Sequence, residues 1–99
     1  PSGEYYVKRV VAVAGDTVDI RDGKVFINGT EENASYVLGE TIGENAAVVY
    51  PCTIEEGQVF VLGDNRPESV DSRYYGSFNV NQVTGVLKLR MGFFYLNGL

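Results

Sequence analysis

Ninety-nine residues, 44% hydrophobic and 21% charged, bound one small domain with room for a single core and little margin. A formal charge of −5 with no basic cluster argues against a nucleic-acid partner, because phosphate backbones are held by Lys and Arg that release counterions. With no histidine in the chain, Ser-His-Asp and Cys-His catalysis and most zinc sites are excluded, which leaves lysine or a carboxylate as the available base.

In chain order, apolar and β-branched residues come in short runs broken by glycine and Asx turns, so a mostly β fold is expected. Tyr5 to Ala14 is a first long strand, Thr17 to Ile20 a second and Val25 to Ile27 a third. The second and third are joined through Arg21-Asp22-Gly23-Lys24, because Asp-Gly supplies the positive φ angles that tight hairpins need. Asn28-Gly29 is another such turn. From Thr30 to Asn45 polarity rises and periodicity fades, as expected of an excursion over the surface.

Ala46 to Tyr50 and Gln58 to Leu62 read as strands, the second entered through Glu55-Glu56-Gly57. Cys52, beside Pro51, has no second cysteine to pair with and is expected to be a buried structural thiol. Glu68 to Tyr74 can form one helical turn, and Val86 to Tyr95 reads as a long final strand. No run approaches the roughly 18 consecutive apolar residues of a membrane span, and no leader sequence is visible. Residues 1–99 are expected to form one domain, with 30–45 as an insertion in it.

Strict alternation along the first strand places Lys8 on one face with Tyr6, Val10, Ala12 and Ala14, and Arg9 on the other with Val7, Val11 and Val13. Among small and apolar neighbours the ammonium of Lys8 is disfavoured, its pKa falls toward the working pH, and a neutral amine can take a proton from a hydroxyl. A lysine in a strand is more often a solvated residue or a guard against edge pairing, and the strand alone favours that outcome.

A second polar run changes the balance. Gly63-Asp64-Asn65-Arg66-Pro67-Glu68-Ser69-Val70-Asp71-Ser72-Arg73-Tyr74-Tyr75-Gly76 packs turn formers, hydroxyls, carboxylates and two arginines behind an apolar strand. Together with Lys8-Arg9-Val10 and the closing Gly15-Asp16, it resembles the bacterial type I signal peptidases, whose motifs read approximately K-R-V-x-G-x-P-G-D and G-D-N-x-x-x-S-x-D-S-R-x-x-G. Eight of the fourteen positions from Gly63 to Gly76 agree with the second pattern. Ala14 stands where the family often has proline. The absence of histidine fits the bacterial type, in which lysine is the base.

The resemblance implies a signal-peptidase-like antiparallel β fold and a membrane-bound serine endopeptidase that removes signal peptides from exported preproteins. Its catalytic domain would lie on the extracytoplasmic side of the cell membrane. It assigns Lys8 as general base, Ser69 as the residue that orients it, and Asp71 and Arg73 as a pair that supports the loop. Asp64 and Asn65 are read as turn formers in support of the same loop. Tyr6 and Val7 fall where the family accepts the substrate as an added strand. No metal or organic cofactor is implied.

The family's nucleophile is a serine in an S-M-x-P motif near the membrane anchor, and no serine here is followed by Met and then Pro at that spacing. The chain is therefore expected to be a partial catalytic domain, inactive alone, whose exposed Lys8 face leads it to self-associate. The alternative is a catalytically inactive relative that assists assembly of surface fibres such as pili. Such a protein would have no reason to keep both Lys8 and Ser69. Other Ser-Lys proteases of related fold, such as self-cleaving SOS repressors, lack the Gly63 to Gly76 pattern, and an unrelated β-rich binding module would need neither motif.

Overall fold

The computed structural model describes residues 5–43, 48–84 and 93–97 of the chain. Its strands are β1 (Tyr5–Val13), β2 (Thr17–Arg21), β3 (Lys24–Ile27), β4 (Thr30–Glu31), β5 (Cys52–Thr53), β6 (Gln58–Leu62), β7 (Phe78–Asn79), β8 (Val83–Thr84) and β9 (Phe93–Asn97). One short helix, α1, spans Ser72–Tyr75. The strands form two antiparallel sheets, one ordered β7-β6-β1-β9-β8 and the other β4-β3-β2-β5. The mostly β, antiparallel fold expected from the sequence is the one observed.

Local chemistry accounts for the two hairpins of the smaller sheet. Asp22 and Gly23 hold φ at 54° and 75°, and Asn28 and Gly29 at 53° and 85°, so both central residues of each turn lie in the left-handed region that two-residue hairpins require. Val18 pairs with Ile27 and Arg21 with Lys24 as a result.

β1 is the strand that both neighbours of the large sheet share. β9 lies along Tyr5 to Arg9, and β6 along Arg9 to Val13. β6 therefore ends at Leu62, opposite Arg9, and the chain departs at Gly63 just where β1 presents Lys8. That departure gives the 63–76 loop room to fold back against Lys8.

The register of β1 on β6 steps from Val10 opposite Val61 to Ala12 opposite Phe60, which leaves Val11 as the extra residue of a β-bulge. This corrects the strict alternation read from the sequence. Ala12 turns to the Arg9 face and joins Val11, Val18, Val25, Ile54, Phe60 and Leu62 in a cluster drawn from both sheets. Val13 turns to the Lys8 face and packs against a second cluster of Val10, Val59, Val61 and Phe78. Val10, which stays on the Lys8 face and was expected to lie open there, is fully buried in the cluster with Val59 and Val61 of β6 and Phe78 of β7.

Other boundaries differ in instructive ways. β5 falls at Cys52–Thr53, and residues 48–50 are not a strand; the rest of the strand expected from 46 to 50 lies outside the described residues. Of the expected final strand, residues 86–92 likewise lie outside them, while β9 continues two residues beyond Tyr95. The single helical turn expected over 68–74 is two separate turns, a 3-10 turn at Arg66–Glu68 and α1, because Ser69 and Asp71 between them are extended. The excursion after β4 exposes Leu38 yet buries Thr41, and an isolated bridge joins Leu38 to Asn65. No helix among the described residues is long and apolar enough to cross a membrane.

Candidate active site

Lys8 is 9% exposed, and its Nζ donates to Oγ of Ser69 at 3.0 Å across a sequence separation of 61 residues. Burial pushes the Lys8 pKa below the ordinary lysine value; the Asp71 carboxylate opposes that shift and the Arg73 guanidinium adds to it. The two residues assigned as base and orienting hydroxyl thus meet.

Gly63 sets how closely they meet. A Cβ there would collide with Oγ and Cβ of Ser69 and lie 3.6 Å from Lys8 Nζ, so the loop packs Ser69 onto bare backbone. The Gly63 peptide is held on both sides. Its N–H donates to Asp71 Oδ2 at 3.0 Å, and its carbonyl accepts from Arg66 Nε at 2.7 Å.

Asp71 and Arg73 form the buried pair expected of them. Arg73 donates from Nε to Asp71 Oδ1 at 2.8 Å and from Nη2 to Oδ2 at 2.9 Å, and the Asp71 carboxylate also caps α1 through the Arg73 N–H. The same Nη2 reaches the carbonyls of Arg66 and Ser69, at 2.9 and 3.3 Å. Ser72, a motif residue given no role from sequence, accepts from the Val61 N–H at 2.9 Å and ties the loop to β6.

Asp64 does more than form a turn. Its two oxygens accept from Nε and Nη2 of Arg9 at 2.9 and 3.0 Å, and the Arg9 guanidinium lies 3.6 Å from the centre of the Tyr36 ring. The hydrogen bond to Asp64 is the main cause that holds Arg9 above the ordinary arginine value. Asn65 behaves as the expected turn former, its carbonyl accepting from the Glu68 N–H. Tyr6 and Val7 stand opposite Leu96 and Tyr95 of β9. Cys52, expected to be buried, is half-buried, and burial raises its thiol pKa.

Sequence reasoning missed two groups. Arg66 is 1% exposed and donates to Oε1 and Oε2 of Glu32 at 2.6 and 3.2 Å, and to Thr41 Oγ1 at 2.8 Å. Tyr36 donates its hydroxyl to Glu32 Oε2 at 3.1 Å, and burial, with Glu32 adding to it, pushes the Tyr36 pKa up to about 12. No periodicity marks Glu32, one of several acidic residues in a polar stretch. The buried Arg66 occupies an unspecified position of the motif.

The description "Signal peptidase, peptidase S26" matches residues 1–92. The chain belongs to that family. Its members among curated proteins include the thylakoidal processing peptidase 1, chloroplastic, of Arabidopsis thaliana, 38% identical over 84 residues, which is 85% of this chain and 24% of that protein. Signal peptidase I of Bacillus licheniformis is 41% identical over 76 residues, 70% of this chain and 40% of the relative. The crystal structure of a signal peptidase I from Enterococcus faecalis V583 superposes with a TM-score of 0.62 at 36% identity, covering 82% of this chain and 80% of that one. The chain spans between a quarter and a half of the length of these curated signal peptidases.

Proposed function

We propose that this chain supplies the general-base half of a serine endopeptidase that removes signal peptides from exported preproteins. The observation that carries the proposal is the buried Lys8 amine, held 3.0 Å from Ser69 Oγ and shifted toward its neutral form. The neutral amine takes the proton of a nucleophilic serine as that oxygen attacks the scissile carbonyl, and the resulting ammonium returns the proton to the departing amine. The nucleophile belongs to an S-M-x-P segment that this sequence does not contain. Ser69 acts by orienting the base.

A substrate strand has a place to add. β6 joins β1 only from Arg9 onward, so among the described residues the side of Tyr5 to Val7 away from β9 has no strand beside it. Main-chain hydrogen bonds along that edge would hold an extended signal peptide, with Tyr6 and Val7 flanking the small residues before the cut. The intact enzyme is proposed to be of the bacterial type and to work at the extracytoplasmic face of a membrane, through an anchor outside this sequence. No observation favours the pilus-assembly alternative.

The test is made on the intact protein with a peptide carrying Ala at the −1 and −3 positions. Lys8→Ala is expected to lower kcat/KM by at least 10²-fold, in line with the loss of a general base. Arg9→Ala should cost less. Because the base must be neutral, the wild-type rate should rise with pH through a Lys8 pKa below 10.5. Wild-type turnover by Lys8→Ala would overturn the assignment.

A further inference from the structure

The Gly63 carbonyl is held by an arginine whose own geometry is set from the excursion after β4. The Glu32 side chain is 8% exposed and that of Arg66 is fully buried, so neither charge is satisfied by water. With both Nη atoms engaged by the carboxylate, and Nη1 shared with Thr41, Nε is turned toward Gly63 and donates to its carbonyl. Tyr36 fixes the far side of the carboxylate. A planar guanidinium gripped at two nitrogens has one orientation, which a lysine in its place would not provide.

We propose that Glu32 is a positioning residue for the Lys8–Ser69 pair: its carboxylate aims Arg66, Arg66 fixes the Gly63 carbonyl, and Gly63 sets how closely Ser69 approaches Lys8. A buried ion pair adds little net stability compared with apolar residues of the same volume, but it fixes geometry, and a flexible lysine needs fixed geometry to act. The consequence for turnover rests on the peptidase function proposed above. The effect on Lys8 is a property of this chain and needs no substrate.

The experiment labels the chain with ¹³C at lysine Cε and follows the titration of Lys8 by NMR. Its signal is separated from those of Lys24 and Lys88 by the Lys8→Ala variant. Ser69, Asp71 and Arg73 bear on the Lys8 amine, whereas the Glu32 carboxylate is engaged by Arg66 and Tyr36. In Glu32→Gln the loop should loosen, water should reach the amine, and Lys8 should titrate higher than in the wild type. Simple loss of a negative charge would move it the other way. An unmoved or lowered titration overturns the proposal.

Replacing the pair by Glu32→Leu with Arg66→Met separates positioning from scaffolding and serves equally if Glu32→Gln does not fold. The double variant should melt cooperatively but below the wild type, because the Gly63 carbonyl and Thr41 lose the Arg66 donor, while its Lys8 stays displaced upward; recovery of the wild-type titration would show that the pair is only scaffold. In the intact protein, Glu32→Gln should lower kcat and move the rise of rate with pH upward. Full activity of Lys8→Ala would overturn the peptidase proposal and leave the Glu32 result standing. An unmoved Lys8 in Glu32→Gln would do the reverse.

Discussion

Ser69 and Asp71 lie two positions apart and do different work. Ser69 contributes one hydrogen bond to Lys8, so Ser69→Ala should cost about 1 kcal/mol of stability or less while lowering turnover of the intact protein. Asp71 is fully buried and accepts from the Gly63 N–H, the Arg73 N–H and the Arg73 guanidinium, so Asp71→Ala strands a buried cation and should cost about 3–5 kcal/mol. Thermal melting of this chain and kinetics of the intact protein together check the division. The reverse pattern would show Ser69 to be the structural residue. Residual turnover in Ser69→Ala would also separate an orienting serine from a nucleophile.

Among the elements, β1 has the most to satisfy. Its first half pairs with β9, its second half with β6, and the bulge at Val11 lets Val10 serve one cluster while Val11 and Ala12 serve the other. Deleting Val11 would remove the extra residue and leave Val10 opposite Val61 and Ala12 opposite Phe60 in an unbroken ladder, with Ala12 and Val13 on the faces they hold now. Each cluster keeps its other members under that change, and only the Val11 side chain is lost from the first. The deletion is therefore expected to keep a cooperative melting transition with a lowered midpoint, and Val11→Ala, which keeps the bulge, should lower the midpoint likewise. Loss of cooperative melting in the deletion variant would show that the fold depends on the bulge itself.

At the scale of the whole molecule, the Lys8–Ser69 pair is assembled while an S-M-x-P serine lies in no part of this sequence. The chain alone is expected not to cleave a signal-peptide substrate. Turnover that vanishes in Lys8→Ala would contradict this. Self-association through an open apolar face is opposed at Val10, which is fully buried on the Lys8 face. What remains to template it is the backbone of Tyr5 to Val7, so light scattering at micromolar concentration is expected to show weak dimers that a competing extended peptide dissolves. A dimer insensitive to such a peptide would locate the contact elsewhere.

The sequence by itself determined the β character, both Asx-Gly hairpins and the absence of a histidine base, while the pairing of Lys8 with the Ser69 loop was implied only by the resemblance of two motifs to a known family. The first group depends on local chemistry: positive φ at Asp22-Gly23 and Asn28-Gly29, and alternation over short stretches. Only the tertiary structure decided that Val11 is a bulge, because a bulge is a relation between β1 and β6 that neither strand encodes alone. Glu32 was invisible for the same reason. Its partner lies 34 residues away, and a carboxylate in a polar stretch reads as solvated until the fold carries Arg66 over it and removes the water.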